Sequence, residues 1–351
     1  MHVTPKTPAI PKTRTATKKV TATATAEASK PAAAKAVKAA AKPKEPRKRA
    51  PSKPKVPFKA GMVAVIGRPN VGKSTLVNLL VQYKLSAVSP KPQTTRHKVL
   101  GVVTSENYQV ALFDTPGMPS KATDEFDRRL LAAAMGAIQE ADLALFLVEA
   151  HPPGDVEKRI MQELKKDERK TILAINKVDQ GRKEAMLPVM EIYNRLYPFL
   201  EIMPVSALRK DGVDELLRLI VQHLPESPPL FGAEEITDRS ERFLATEIVR
   251  EQVFNAYAQE IPYAVAVEVE DFKESDEHHG GKDYISAVLY VDKDSQKAIL
   301  IGRGGLMLKT IGSTAREQIE KMLERPVHLE LWVKVYPKWR RDTAFLERIG
   351  Y

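Results

Sequence analysis

Hydrophobic residues in the region 58–224 follow two alternating periods. Continuous apolar runs, typical of strands buried on both faces, alternate with segments in which apolar residues recur every three or four positions, as in helices packed on one side. The predicted strands are 62–66, 98–104, 108–113, 142–148, 170–175 and 201–205. The predicted helices are 73–81, 124–139, 156–166, 182–196 and 212–223. This alternation predicts one α/β domain, in which helices cover both faces of a mostly parallel sheet.

A proline-rich stretch ends this pattern and predicts a linker over 225–234. The remaining residues, 235–351, have a different order of elements. They are predicted to form a long amphipathic helix 237–258, strands 263–270 and 284–291, a helix 295–301, a turn 302–305, a helix 306–323, a strand 327–336 and a short C-terminal helix. This order, α-β-β-α-turn-α-β, predicts a second, smaller α+β domain.

The positive charge of the chain is concentrated at its N-terminus. The net charge is +10, but residues 1–57 carry fifteen Lys and Arg against two acids, so the other 294 residues have a net charge of −3. This tail is nearly all Ala, Lys, Pro and Thr, which bury too little apolar surface to offset conformational entropy, so we predict disorder. Three interpretations of the tail stay open: a polycation that binds nucleic acid, a solubilising tail, and a transit peptide.

Composition also excludes several classes of protein. The sequence has no cysteine, which rules out disulfide bonds and thiolate metal sites. No apolar run approaches the roughly 20 residues of a membrane-spanning helix, and no secretory signal opens the chain. We therefore expect a soluble protein.

A phosphate-binding loop is predicted at Gly67-Arg68-Pro69-Asn70-Val71-Gly72-Lys73-Ser74-Thr75, which fits the pattern G-x-x-x-x-G-K-[ST]. The loop joins a predicted buried strand to a predicted helix, whose positive N-terminus favours an anion. The glycines let backbone N–H groups point inward, Lys73 supplies a positive charge, and the Ser74 hydroxyl is a suitable Mg²⁺ ligand. These features predict a site for a nucleotide with Mg²⁺.

Three further motifs follow predicted strands of the same sheet: Asp114-Thr115-Pro116-Gly117, Asn176-Lys177-Val178-Asp179 and Ser206-Ala207-Leu208. In the first, Asp114 is suited to hold Mg²⁺ through water, and Gly117 lets the backbone approach a phosphate. With the phosphate-binding loop, these motifs in this order resemble the Ras-like GTPase superfamily. The resemblance implies that Asp179 accepts two hydrogen bonds from guanine and that the backbone of Ala207 donates to the guanine carbonyl oxygen. The expected ligands are therefore GTP and GDP.

GTPases of this kind also carry a switch threonine between the first helix and Asp114. The segment Pro92-Gln93-Thr94-Thr95-Arg96 holds the only pair of threonines in that interval. Thr95 is the preferred Mg²⁺ ligand, and Thr94 remains the alternative.

One position departs from the Ras-type pattern. There a glutamine after the Asp-x-x-Gly motif orients the attacking water, but here that residue is Met118, so we expect slow intrinsic turnover. Two supplements are open: a K⁺ ion held by Asn70, as in a subset of these GTPases, or a group from an activating partner. Asn70 would otherwise only stabilise the turn. The residues assigned to catalysis are Lys73, Thr95, Gly117 and Asn70.

The turn Gly302-Arg303-Gly304-Gly305 resembles the G-x-x-G loop with which KH domains clamp single-stranded nucleic acid. The element order matches KH domains in which a helix comes first. Residues 234–292 have a net charge of −10 and residues 293–348 one of +5, so the half with the turn is the one that attracts phosphate. We expect Ile301 and Leu306 to pack against the flanking helices. The predicted RNA contacts are Ile301, Gly302, Arg303, Gly304, Gly305, Lys309 and Arg316.

The two domains together resemble the Era-like family of GTPases. The resemblance covers about residues 60–351, including Gln93-Thr94-Thr95-Arg96-His97 and Leu331-Trp332-Val333-Lys334-Val335, but not the tail. It implies a cytoplasmic, monomeric GTPase that assists assembly of the small ribosomal subunit and binds single-stranded 16S rRNA near its 3′ end. Some members also contact the inner membrane peripherally. Two other functions stay open: a structural RNA-binding protein with GTP as an occupancy signal, and a GTPase that works at a membrane surface through the tail.

Overall fold

A computed structural model of the chain describes residues 57–119, 121–181, 186–275 and 281–351. The basic tail, apart from Pro57, lies outside the described residues, as do the first four residues of the helix predicted at 182–196. The described residues belong to one compact unit, within which the two predicted domains contact each other.

The first domain is built on a six-stranded sheet in the order β2-β3-β1-β4-β5-β6. Its strands are β1 (Lys59–Gly67), β2 (Val99–Thr104), β3 (Tyr108–Asp114), β4 (Leu143–Glu149), β5 (Thr171–Asn176) and β6 (Glu201–Pro204). Neighbouring strands are parallel except β2 and β3, which are antiparallel. The predicted mostly parallel sheet is therefore confirmed.

Helices cover both faces of this sheet. They are α1 (Lys73–Val81), α2 (Glu125–Glu140), α3 (Asp155–Lys166), α4 (Met186–Leu196) and α5 (Val213–His223). Apolar residues of α1 and α5 pack on one face, and those of α2, α3 and α4 pack on the other. The carboxyl ends of the parallel strands meet at one edge, where sheets of this kind bind ligands.

The residues between the two domains are hydrogen-bonded to the first sheet. The backbone N–H of Val102 in β2 donates to the carbonyl oxygen of Ile236 at 2.8 Å. The side-chain oxygen of Gln109 accepts hydrogen bonds from the backbone N–H groups of Leu230 and Phe231 at 2.7 and 2.9 Å. These bonds determine the path by which the chain enters the second domain.

The second domain contains a three-stranded sheet in the order β7-β8-β9, with β7 antiparallel and β9 parallel to β8. Its elements are α6 (Glu241–Ala256), α7 (Ile261–Ala264), β7 (Ala266–Lys273), β8 (Asp283–Val291), α8 (Asp294–Ile301), α9 (Leu306–Leu323), β9 (Val327–Val335) and α10 (Thr343–Arg348). The predicted helix-first KH order is therefore confirmed.

Two elements of the second domain begin three or more residues later than predicted. Helix α6 begins at Glu241, because the Ser240 side chain accepts a hydrogen bond from the N–H of Phe243 and caps the helix. Strand β7 begins at Ala266 instead of residue 263, because Pro262 lies in the first turn of the short helix α7.

Helix α6 is buried on two sides. Ala245 and Val249 pack in the core of the second domain. The sequence predicts an amphipathic helix here, but the charged residues Glu247 and Arg250 are only 3% and 1% exposed because they face the first domain. The helix therefore lies between the two domains. Among the described residues, no helix is long and apolar enough to cross a membrane.

Candidate functional site

The predicted phosphate-binding loop connects β1 to α1 and lines a cleft. Lys73, the first residue of α1, is buried and donates from Nζ to the carbonyl oxygens of Gly67 and Arg68 at 3.2 and 2.8 Å. Burial lowers the pKa of the Lys73 ammonium to about 8, and the Asp114 carboxylate opposes this shift. A phosphate beside Lys73 would stabilise the charged ammonium and so raise the lysine pKa again. The same attraction favours binding of the phosphate.

The cleft brings together residues from motifs that are distant in sequence. Of the predicted site residues, those in its lining are Pro69, Asn70, Gly72, Lys73, Ser74, Thr75, Thr95, Gly117, Asn176, Lys177, Asp179, Ala207 and Leu208. The predicted nucleotide-site residues outside this lining are Gly67, Arg68, Val71, Asp114, Thr115, Pro116 and Ser206. Some of these support the site: the Thr115 hydroxyl donates to the Val65 carbonyl oxygen at 2.7 Å and so fixes the start of its motif.

Gly117 allows two of the motifs to approach closely. A Cβ atom at this position would lie 2.5 Å from the Cα of Pro69, which is closer than any side chain permits. The next residue, Met118, is buried in the core, and its backbone N–H donates to the Gly67 carbonyl oxygen at 3.2 Å. Its side chain packs in the core of the first domain and does not line the cleft.

Three predicted Mg²⁺ ligands lie together beside the loop. The hydroxyl oxygens of Ser74 and Thr95 are 2.5 Å apart. Asp114 is fully buried, and neither of its carboxylate oxygens accepts a hydrogen bond from the described residues. Burial raises the pKa of Asp114, although the nearby hydroxyls of Ser86 and Ser74 and the Lys73 ammonium oppose the shift. A buried carboxylate without a hydrogen-bond partner lies near the Ser74 hydroxyl, which in turn contacts the Thr95 hydroxyl. Oxygen donors of this kind fit Mg²⁺.

The structure separates the roles of the two threonines. The Thr94 hydroxyl donates to the Lys91 carbonyl oxygen at 2.6 Å and lies 2.8 Å from the Ser89 hydroxyl, so it is used within its own loop. The Thr95 hydroxyl instead contacts the Ser74 hydroxyl. This geometry favours Thr95 over Thr94 as a metal ligand.

Asn70 lies where the phosphate-binding loop contacts Pro90. Its backbone is left-handed, with φ at 66°, and its Nδ2 donates to the Pro90 carbonyl oxygen at 2.7 Å. The hydrogen bond uses the amide nitrogen, and the amide oxygen is the atom that would ligate a K⁺ ion. Both interpretations of Asn70, turn stabiliser and K⁺ ligand, are compatible with this arrangement.

The motifs predicted to bind the base are linked by hydrogen bonds. The Nδ2 of Asn176 donates to the Val71 carbonyl oxygen at 2.7 Å, and its Oδ1 accepts from the Ala207 N–H at 3.0 Å. The Ser206 hydroxyl donates to Oδ1 of Asp179 at 2.6 Å. Asn176 therefore joins the phosphate-binding loop to the Ala207 loop, and Ser206 orients the Asp179 carboxylate.

The segment 88–97, called the switch segment below, is bound along one side of α6. Arg250 of α6 donates to the Thr94 carbonyl oxygen and forms a buried ion pair with Glu247. The backbone N–H of Val88 donates to Oε1 of Glu251 at 3.1 Å. Sequence reasoning did not assign α6 to the nucleotide site. The available signal was three charged residues on one helical face, at positions 247, 250 and 251.

Other side chains extend this contact between the domains. The guanidinium of Arg96 is buried and donates to the carbonyl oxygens of Pro262 and Val265 at 2.8 and 2.7 Å. Arg340 pairs with Asp124 at 2.7 Å and with Asp127 at 3.1 Å, beside the loop that follows Gly117. The switch segment and the residues after Gly117 thus both touch the second domain.

The predicted RNA-binding turn lies between α8 and α9. Gly302, Gly304 and Gly305 have φ values of 72°, 60° and 78°, a left-handed region that favours glycine. Ile301 packs partly against the domain core, as predicted. Leu306 is 65% exposed, so the prediction that it packs against the flanking helices is wrong. It begins α9 on the solvent side, where its apolar side chain is free to contact a ligand.

A groove continues from this turn between α9 and β9. It is lined by Gly305, Leu308, Lys309, Gly312, Ser313, Arg316, Leu329 and Leu331. Arg316 pairs with Glu320 at 2.8 Å, which offsets part of its charge, whereas Lys309 is exposed at the mouth of the groove. Arg303 is also exposed in the turn. The groove therefore combines apolar walls with a basic rim.

Family comparisons match both domains. Residues 62–177 match a family described as 50S ribosome-binding GTPase, and residues 260–340 match the KH domain family. The GTPase Era of Lactobacillus helveticus is 45% identical over 297 residues, which cover 84% of this chain and 96% of that protein. The GTPase Era of Geobacter metallireducens is 46% identical over 296 residues, with 84% and 98% coverage.

Two solved structures have the same architecture over nearly their whole length. One is a crystal structure of Era in complex with MgGDPNP and nucleotides 1506-1542 of 16S ribosomal RNA, with a TM-score of 0.81, 40% identity, and coverage of 84% of this chain and 99% of that one. The other is an Aquifex aeolicus Era variant bound to GDP.AlF4-, with a TM-score of 0.80, 39% identity and the same coverage. From its sequence, its two domains and these relatives, this chain belongs to the Era family of GTPases.

Proposed function

We propose that this protein is a GTP-hydrolysing switch that binds the single-stranded 3′ end of 16S rRNA through its KH domain and assists assembly of the small ribosomal subunit. The observation that carries the proposal is the position of the switch segment. Thr95 touches Ser74 of the phosphate-binding loop, while the adjacent Thr94 is held by Arg250 of α6. One segment thus connects the nucleotide to the RNA-binding domain. The relative solved with MgGDPNP and a 16S rRNA fragment supports both ligands.

In this proposal the nucleotide lies along the cleft. The phosphates rest on the loop 67–75, where Lys73 and backbone N–H groups oppose their charge. Asp179 accepts hydrogen bonds from the guanine edge, and the Ala207 N–H donates to the guanine carbonyl oxygen. The residues assigned to GTP are Gly67, Arg68, Pro69, Asn70, Val71, Gly72, Lys73, Ser74, Thr75, Asp114, Thr115, Pro116, Gly117, Asn176, Lys177, Asp179, Ser206, Ala207 and Leu208.

Ser74, Thr95 and Asp114 would hold Mg²⁺. When bound, Mg²⁺ neutralises charge on the phosphate oxygens during phosphoryl transfer. The backbone at Gly117 would approach the γ-phosphate. Because Met118 is buried, Asn70 with K⁺, or a group from a partner, is proposed to complete catalysis, and unaided hydrolysis should be slow.

The switch works through order and release of loops. With GTP bound, the γ-phosphate and Mg²⁺ would keep segments 84–97 and 115–125 in place against the second domain. Hydrolysis would release them and free the KH domain from contacts such as that of Arg96 with Pro262 and Val265. RNA affinity should therefore depend on the nucleotide. Monomeric state, cytoplasmic localisation and peripheral membrane contact stay predictions from the family resemblance.

Hydrolysis of GTP by the full chain, with and without an RNA that ends in the 3′ sequence of 16S rRNA, tests this proposal. We expect RNA to raise the rate, and Gly304→Asp to abolish that stimulation because it adds negative charge where phosphate binds. Gly281→Asp is the matched control, since both glycines have positive φ and open space around an added Cβ. Tight binding of GTP and RNA without hydrolysis in either KCl or NaCl would instead favour the structural RNA-binding protein, whereas a K⁺ requirement would assign Asn70.

The Thr95 hydroxyl should matter more than the Thr94 hydroxyl. We expect Thr95→Ala to lower the hydrolysis rate by about 100-fold and to raise the Mg²⁺ concentration needed, because a metal ligand is lost. Thr94→Ala removes only a hydrogen bond within the loop and should change the rate by less than about ten-fold. Rates measured across a Mg²⁺ titration check this prediction; equal Mg²⁺ dependence in the two variants would contradict it.

A further inference from the structure

The last turn of α6 is bound by a lysine of the switch segment. The Nζ of Lys91 donates to the carbonyl oxygens of Phe254 and Tyr257. Carbonyl groups at the C-terminal end of a helix lack partners within the helix and carry the negative end of its dipole, so an ammonium is favoured there. Tyr257 directly follows α6 and caps it, and its N–H donates to the Val253 carbonyl oxygen. Lys91 therefore anchors the backbone of Tyr257 from the first domain.

The side chain of the same tyrosine reaches the end of α8, the helix that leads into the RNA-binding turn. Its hydroxyl lies 3.0 Å from the carbonyl oxygen of Ile299 and 3.2 Å from that of Leu300, and it donates to this pair. Both residues are in the last turn of α8, three and two positions before Gly302. Burial raises the pKa of Tyr257, so the phenol stays protonated and remains a donor. Its ring also packs against the core of the KH domain.

We propose that Tyr257 is a positioning residue that transmits the state of the switch segment to the RNA-binding turn. Lys91 holds its backbone from the nucleotide side, and its hydroxyl holds the end of α8 on the RNA side. When the switch segment is ordered, both anchors are in place and the turn Gly302–Gly305 is held in one conformation. When the segment is released, Tyr257 loses the Lys91 anchor and the turn becomes more mobile. The turn then loses more conformational entropy when it binds RNA, so affinity falls.

This inference rests on the proposed function and makes it specific to one side chain. A hydroxyl that only supported the KH fold would affect RNA affinity equally in both nucleotide states. A hydroxyl that transmits the switch affects the affinity only where the switch segment is ordered. The informative quantity is therefore the difference in RNA affinity between the GTP-bound and GDP-bound states.

The test is a double-mutant cycle on RNA affinity. Dissociation constants for the 3′-terminal 16S sequence are measured with a non-hydrolysable GTP analogue and with GDP, for the parent, Tyr257→Phe, Lys91→Met and the double variant. We expect Tyr257→Phe to weaken binding about five-fold with the GTP analogue and to leave the GDP value unchanged. Lys91→Met should have the same effect, and the double variant should be no weaker than either single variant.

Tyr336→Phe is the matched control, because it also removes a tyrosine hydroxyl that is hydrogen-bonded within the KH domain, to Asp342 at 2.6 Å. It should leave the ratio of the two affinities unchanged. Equal losses in both nucleotide states, or additive losses in the double variant, would overturn the role of Tyr257. A parent protein whose RNA affinity does not depend on the nucleotide would instead overturn the proposed switch itself, so the two failures are distinguishable.

Discussion

Asp179→Asn should change the base preference of the nucleotide site. Asp179 is proposed to accept two hydrogen bonds from guanine, and Ser206 already donates to one of its oxygens at 2.6 Å. An asparagine would place an N–H group against a guanine N–H group, so GTP affinity should fall by on the order of 10⁴-fold. Xanthine carries a carbonyl oxygen in place of the guanine amino group and should pair with the asparagine. Binding of GTP and xanthosine triphosphate to both proteins measures the exchange.

The gain of xanthosine triphosphate binding is the internal control for this variant, because an unfolded site would bind neither nucleotide. Asp214→Asn provides a second control, since Asp214 is an exposed carboxylate at the start of α5 in the same domain. It should leave GTP affinity unchanged. Unaltered GTP affinity in Asp179→Asn would mean that another group recognises the base.

Arg250→Met should destabilise the contact between the domains by about 3–5 kcal/mol. Arg250 and Glu247 form an ion pair whose side chains are only 1% and 4% exposed. Removing the arginine leaves the Glu247 carboxylate buried without its partner, and it also removes the hydrogen bond to the Thr94 carbonyl oxygen. Denaturation followed by tryptophan fluorescence measures the loss, since Trp339 is buried and its ring centroid lies 5.5 Å from that of Phe126 across the interface.

The double variant Arg250→Met with Glu247→Leu separates two effects of the arginine. Replacing a buried ion pair with apolar residues is often close to neutral for stability, so most of the lost stability should return. The hydrogen bond to Thr94 stays absent, so hydrolysis should remain slower than in the parent. Recovery of both stability and hydrolysis would show that Arg250 does not position the switch segment.

Much of the nucleotide site is predictable because its parts are local. The phosphate-binding loop, Asp114, Asn176 and Ser206 each lie at the carboxyl end of a strand, and parallel strands end at one edge of a sheet. Glycine and lysine at set spacing define the loop, and a run of apolar residues defines each strand. The cleft described above brings these motifs together as the pattern predicts, and Met118 is buried as its apolar side chain suggests.

The sequence favours Thr95 as the metal ligand but leaves Thr94 as an alternative. Thr94 and Thr95 are adjacent and chemically identical, so spacing cannot distinguish them. In the structure, the Thr94 hydroxyl is hydrogen-bonded to Ser89 and Lys91 within its own loop, whereas the Thr95 hydroxyl contacts the Ser74 hydroxyl. The exposure of Leu306 was also missed, because helical periodicity does not say on which side of α9 its first residue lies.

The burial of charged residues in helix α6 is also not predictable from the local sequence. Local rules favour solvent for Glu247 and Arg250, yet both are buried because a second domain covers them. The partners of this helix, Thr94 for Arg250 and Lys91 for Tyr257, lie 156 and 166 positions away along the chain. Backbone rules that act over a few residues therefore place the GTPase motifs and the KH turn, whereas the link between them arises from packing between distant segments, which no local pattern of residues encodes.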